Sequence, residues 1–268
     1  MEVGLFMLVG GVAAGVFGSL LGLGGGLLIV PLLTIGFGLP LREAVGVSLV
    51  CVIVTSSASA SVYLERRQAN LRLGMVLELF TAMGAIAGGL VAFLLDERLL
   101  AAMFAAVLVY VAITMLRGRS AGAEDEPGTP ASGVISTAER LTGSAVRRFP
   151  AGVVGSVGAG VVSALLGIGG GIVKVPVMHL VMGVPLRVAT STSNLMIGIT
   201  ASASAIVYLL RGGIDINAAG PTAVGVFLGA TLGSRLGGRV RVGMLRVLFV
   251  AVLLFTAFEM ARRAAGLS

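Results

Sequence analysis

The chain is poor in almost everything that a soluble protein displays on its surface. Only 12% of its 268 residues are charged, where a soluble domain carries about 25%. It has no tryptophan, one cysteine, one histidine and one lysine. The lone Cys51 excludes an internal disulfide and any Cys-x-x-Cys metal site. With a single histidine, His179, no metal centre is expected, and nothing in the pattern asks for a cofactor. Aromatic residues make up 5% of the chain, so the net charge of +7 lacks the aromatic-rich basic face on which nucleic-acid bases would stack. The arginines sit instead in short clusters between apolar spans, as membrane orientation signals do.

What remains is apolar. Hydrophobic residues reach 57% and the mean hydropathy is +1.06. Long apolar stretches recur from end to end, which indicates a polytopic α-helical protein with the lipid bilayer as its partner. The first stretch, MEVGLFMLVGGVAAGVFGSLLG, carries Glu2 where a signal peptide would have its positive region. It reads as a first membrane helix retained in the mature protein.

Set against itself, the sequence repeats at an offset of 145 residues. That shift pairs Gly24, Gly25 and Gly26 with Gly169, Gly170 and Gly171, and Pro31 with Pro176. It also pairs Pro40 with Pro185, Arg42 with Arg187, Ser48 with Ser193, Thr55 with Thr200, and Gly84 and Gly88 with Gly229 and Gly233. The organisation expected is therefore a first transmembrane repeat over 1–117, a cytoplasmic linker over 118–150 and a second repeat over 151–268. The linker is rich in Pro, Gly, Ser and charge, with room for one short surface helix near 134–148. Its Gly118-Arg119-Ser120-Ala121-Gly122 run matches G-x-S-x-G formally, but a polar linker does not supply the strand-turn-helix that this motif requires.

Each repeat parses as a glycine-broken apolar stretch (about 4–38 and 151–183) followed by three spans. These are placed at about 41–64, 72–95 and 98–116, then 186–210, 217–236 and 242–261. The broken stretches divide into pieces of about 12–18 residues, and the later pieces are too short to cross easily, since crossing takes about 20 residues. A hairpin that enters and returns gives each half an odd number of crossings and inverts the halves, as in many transporters. The loop charges lean that way. Arg66, Arg67, Arg72, the linker arginines, Arg187, Arg235, Arg239 and Arg241 fall on one side. Arg42, Arg98, Arg211, Arg262 and Arg263 fall on the other. A stretch that crosses only once would make the repeats parallel. The fold expected is an all-α polytopic membrane protein of two homologous, inverted repeats, each a glycine-broken short-helix hairpin plus three membrane spans.

Gly84/Gly88 and Gly229/Gly233 have the small-xxx-small spacing of close helix crossings. The Gly-x-Gly-Gly-Gly breaks differ, because consecutive glycines cost about 1 kcal/mol each against alanine in a helix. A break at membrane depth frees N–H groups that must meet protein, water or ligand, and the helix that restarts near Ile172 turns its positive end toward the break. No Gly-Lys-[Ser/Thr] follows, so a nucleotide-binding loop is rejected.

The copies differ where chemistry would sit. Lys174 faces Ile29, His179 faces Thr34, and Thr190-Ser191-Thr192-Ser193-Asn194 faces Val45-Gly46-Val47-Ser48-Leu49. A cation in the first turn of a helix sits at the unfavourable end of the dipole, and an intramembrane charge costs at least about 2.5–3.5 kcal/mol. Both penalties fall when an anion occupies the site. Snorkelling, or pairing with a fixed carboxylate, would also answer them. Ser193 and Asn194 are favoured as further anion contacts, with Ser48 and Thr192 included in the same candidate set. His179 is either a proton carrier or a core histidine. Glu78 is either a proton-coupling group or an interfacial charge near Arg72. On this reading, Lys174→Ala abolishes anion binding and leaves folding nearly intact.

The paired GLGGGLLIVPLL and GIGGGIVKVPVM, each followed by Pro-x-Arg-x-Ala and a Ser-rich span, resemble the sulfite exporter TauE/SafE family over both repeats. The resemblance implies a bacterial inner-membrane transporter of small sulfur-containing anions, such as sulfite, sulfoacetate or other organosulfonates. It implies ion coupling, leaves direction and anion open, and is compatible with a homodimer. The reading favoured is secondary transport by alternating access, with Lys174 and the Gly24–Gly26 and Gly169–Gly171 breaks at the substrate. A passive anion channel and an intramembrane Ser/His hydrolase are the alternatives.

Overall fold

The structure, a computed structural model, describes residues 2–21, 26–65, 71–117, 149–236 and 242–266. All regular structure among them is helical. The first half holds α1 (Glu2–Leu21), α2 (Gly26–Pro31), α3 (Leu41–Glu65), α4 (Leu71–Ala92) and α5 (Glu97–Arg117). The second holds α6 (Phe149–Leu166), α7 (Gly171–Pro176), α8 (Leu186–Leu210), α9 (Ile216–Leu236) and α10 (Val242–Ala264). Each helix of the second half starts within a few residues of its counterpart plus 145. The short linker helix expected near 134–148 lies outside the described residues, as do Gly24 and Gly25 of the first break.

Among the described residues, five helices are long and apolar enough to cross a membrane: Leu71–Ala92, Glu97–Leu116, Phe149–Leu166, Val188–Leu210 and Ile216–Gly233. Large apolar side chains such as Leu5, Phe6, Leu79, Met83, Phe255 and Phe258 point outward and are mostly exposed. Water would penalise that surface, whereas lipid does not.

The broken stretches divide less evenly than their glycines suggest. The first arms, α1 and α6, have 20 and 18 residues, so α1 exceeds the expected length. The second arms, Gly26–Gly36 and Gly171–Val181, span only about 16 Å at the helical rise. Each second arm changes winding at its proline. α2 ends at Pro31 and α7 at Pro176, and five residues of π-helix follow, Leu32–Gly36 and Val177–Val181. Proline has no N–H for the i→i−4 ladder, and the chain accommodates the loss by rewinding locally. Gly38 and Gly183, at φ 69° and 72°, then turn the chain toward α3 and α8.

Packing exchanges the halves. α1 packs on α9 and α4 on α6, while α3 packs on α8 and α5 on α10. The crossings repeat in detail. A Cβ on Gly84 would collide with the Val157 carbonyl and one on Gly88 with Val161. Gly229 and Gly233 meet Val12 and Val16 in the same way, and 12 and 16 are 157 and 161 less the offset. The small-residue pairs are therefore crossing points, as their spacing indicates. α3 and α8 run antiparallel, with Gly46 near the start of α3 against Gly213 just past α8, and Ser56 against Gly198 midway.

One end of the bundle gathers several of the arginines assigned to a common side. The Arg42 guanidinium donates to the Leu95 carbonyl and lies 5.9 Å from the centre of the Phe93 ring. Arg263 donates to the Thr34 carbonyl at 2.7 Å, and Arg98 lies beside Gly266.

Candidate functional site

Gly26, the described glycine of the first break, meets the second break. A Cβ at Gly26 would lie 2.7 Å from the Gly167 carbonyl oxygen and 3.2 Å from the Ile168 Cα, so only glycine allows this approach. At the second break, Gly169 and Gly170 adopt φ of 78° and 73°, a region that L side chains rarely enter. Gly170 then caps α7, whose Val173 and Lys174 N–H groups return to its carbonyl. The hydroxyl of Ser48 ties the breaks together, lying 2.7 Å from the Gly167 carbonyl oxygen and 3.2 Å from that of Gly26. Its proton is thereby committed to backbone.

Its repeat counterpart, Ser193, is placed differently. The Ser193 hydroxyl is buried, has no hydrogen-bond partner among the described residues, and lies 3.5 Å from where a Gly171 Cβ would sit. Ser163 on α6, beside Gly170, is also buried and unpartnered. The two serines make opposite predictions for stability. Ser48→Ala leaves the Gly167 carbonyl without its side-chain donor and should cost about 1–3 kcal/mol. Ser193→Ala removes no bond among the described residues and should stay within about 0.5 kcal/mol. Denaturant or thermal unfolding of the purified protein in detergent checks both. Equal losses would mean that Ser48 does not join the breaks.

Three residues into α7 stands Lys174, 2% exposed. Its ammonium meets the Glu78 Oε2 of α4 at 2.7 Å and the Thr200 hydroxyl of α8 at 2.6 Å. Thr200 in turn donates to Glu78 Oε1 at 2.6 Å, closing a ring of three hydrogen bonds. Glu78 is 4% exposed and Thr200 fully buried. Burying two charges costs several kcal/mol per ion unless partners and geometry compensate, and this ring supplies both. Among the described residues the ammonium makes these two hydrogen bonds, which leaves its third N–H donor unmatched.

Lys174 therefore has a fixed carboxylate partner, which corrects the view that a passing anion is its sole countercharge. The interfacial reading of Glu78 also falls, because the side chain is buried and paired, while Arg72 is exposed. Symmetry makes the contrast plain. By the offset, Lys174, Thr200 and Glu78 correspond to Ile29, Thr55 and Ala223, an uncharged set.

Other candidates are distributed unevenly. Gly171 and Ser193 share one seam with Lys174 and Thr200, because 171/174 and 193/197/200 each follow helical spacing along one face. Thr192 turns its methyl toward α4, at 3.0 Å from where a Gly74 Cβ would lie. Thr190, Thr192 and Asn194 are engaged by other groups. His179 is exposed, and its ring Nδ1 lies 2.9 Å from the Val184 carbonyl, a contact in which Nδ1–H must donate. It does not join the Lys174–Glu78 ring. Sequence reasoning missed Thr200 and Ser163 as site residues. Thr200 could have been found, since it lies seven residues beyond Ser193 on one face of a single helix.

Comparison with known proteins agrees over the length of the chain. The family model described as sulfite exporter TauE/SafE matches residues 7–260. The probable membrane transporter protein YunE of Bacillus subtilis is 24% identical over 266 residues, covering 96% of each chain. A probable membrane transporter protein of Methanocaldococcus jannaschii is 24% identical over 262 residues, covering 92% of this chain and 91% of its own. One from Xylella fastidiosa is 26% identical over 222 residues, covering 82% and 80%. No solved structure matches significantly.

Proposed function

The chain belongs to the sulfite exporter TauE/SafE family of multi-pass membrane transporters, and from that premise we propose that its cargo is a small sulfur-containing anion. Sulfite, sulfoacetate and other organosulfonates are the candidates. A family of transporters leaves no role for the hydrolase reading.

The observation that carries the proposal is the cation at the second break. Lys174 is buried in an apolar bundle, has one N–H donor unmatched among the described residues, and shares a seam with the unpartnered hydroxyl of Ser193. Charged donors and hydroxyls that converge in a desolvated place suit a compact oxyanion. The meeting of Gly26 with the second break supports a site where both halves contribute, and Gly26 and Gly169–Gly171 allow the backbone to approach closely there. The antiparallel α3 and α8 support an inverted relation of the halves, the arrangement in which rocking of one half on the other gives alternating access.

Purified protein should bind at least one of sulfite, sulfate, thiosulfate, sulfoacetate and taurine. Saturation at about 100 times Kd corresponds to about 2.7 kcal/mol of added stability, read as a rise in Tm. Ser193→Ala should weaken that binding by about tenfold, which corresponds to the 1.4 kcal/mol of a typical hydrogen bond. Absence of a shift with every sulfur anion would sink the assignment. In proteoliposomes, a flux that saturates and follows an ion gradient separates a carrier from a passive channel.

A further inference from the structure

We infer that Glu78 is the proton-binding group of this transporter and that a proton on Glu78 and an anion on Lys174 bind as a pair, which makes the protein a proton–anion symporter. The inference rests on the reading of the Lys174 site as an anion carrier. The argument starts from the ring of Lys174, Glu78 and Thr200. In that ring the ammonium and carboxylate neutralise each other at 2.7 Å, and Thr200 holds the second carboxylate oxygen at 2.6 Å. An anion that approaches Lys174 in this state meets a neutral pair and a nearby like charge. A proton taken from bulk water onto Glu78 removes the like charge and leaves the buried ammonium without a counterion. Each event is unfavourable alone in a desolvated place, and each relieves the other. For a monoanion the balance is complete: Lys⁺ and Glu⁻ become Lys⁺, neutral GluH and A⁻, and the site's net charge stays at zero.

Few other groups are positioned to interfere. α6, packed against α4, carries no titratable residue among Phe149–Leu166. α8 carries Arg187, thirteen residues before Thr200, and Tyr208, whose hydroxyl donates to the Ala164 carbonyl at 3.0 Å. On α4 itself Arg72 lies six residues earlier and is exposed. His179 lies on the π-helix beyond α7, also exposed, with its ring against the Val184 carbonyl. Lys174 is the charged group that touches Glu78 among the described residues. Reciprocity of linkage then fixes the sign, because if protonation favours the anion, the anion favours protonation to the same degree. Proton and anion move in one direction, and a proton gradient directed inward drives the anion inward.

The test is proton uptake on anion binding, measured with purified protein in weakly buffered detergent solution. The ligands are sulfite, sulfate, thiosulfate, sulfoacetate and taurine, with acetate, phosphate and chloride as the non-sulfur anions, each corrected for its own buffering. The wild type should take up about one proton per anion bound where Glu78 is charged, and its affinity should fall about tenfold per pH unit over that range. Glu78→Gln, prepared with the anion present, should bind with no uptake and with affinity independent of pH. Glu78→Asp keeps a carboxyl group and should keep the uptake. Sulfur-anion binding without uptake, or uptake that persists in Glu78→Gln, overturns the inference and leaves the cargo assignment standing. Uptake with a non-sulfur anion alone upholds the inference and overturns the cargo. Binding of no anion at all overturns both.

Discussion

Lys174→Met is expected to destabilise the protein by about 3–5 kcal/mol, the cost of leaving one member of a buried ion pair alone. Glu78 would keep Thr200 at 2.6 Å but lose the ammonium at 2.7 Å. A lone charge in such an interior is neutralised by a change of protonation or is lost with the fold. Glu78→Leu should cost a similar amount. The double variant Lys174→Met/Glu78→Leu should recover most of the stability, since paired apolar replacements of buried ion pairs are often neutral or better, yet bind no anion. A double-mutant cycle of unfolding free energies in detergent gives the coupling directly. A coupling below about 0.5 kcal/mol would mean that the two side chains do not act as a pair. This replaces the expectation, drawn from sequence, that Lys174→Ala leaves folding nearly intact. That expectation treated Lys174 as having no partner within the chain.

Gly84→Leu is expected to be as damaging for a different reason. Its Cβ would collide with the carbonyl of Val157, which is backbone and cannot rotate away. α4 and α6 would have to separate, and overpacking of this kind costs about 3 kcal/mol or more when backbone must yield. Gly229→Leu should cost nearly the same, because it meets Val12 at the equivalent crossing. Gly220→Leu is the control, with nothing within 4 Å of its Cβ position. Thermal unfolding of the three variants ranks them. If Gly84→Leu melts with Gly220→Leu near the wild type, the α4–α6 crossing is wrong.

Much of this architecture was legible in the residues. Apolar runs bounded by arginine, proline and glycine placed α3 to α5 and α8 to α10 within a few residues, because a helix in lipid must satisfy its own backbone. The repeat was legible because glycines at close crossings cannot be replaced without moving a helix. Gly84 and Gly229 show it in the same contact. The winding change at Pro31 and Pro176 was not legible, since a missing N–H announces a disturbance but not how neighbours absorb it.

Sequence alone determined that the chain is a helical, duplicated membrane protein. It also located a charged, hydrogen-bonding second break against an apolar first one. Tertiary structure decided the partners. Lys174 and Glu78 stand 96 residues apart in different halves, and Ser48 reaches Gly167 across 119. Helical periodicity assigns a residue to a face of its own helix and says nothing about which helix lies opposite. The exchange of α4 and α6 between halves supplied that, and it gave the single lysine its carboxylate.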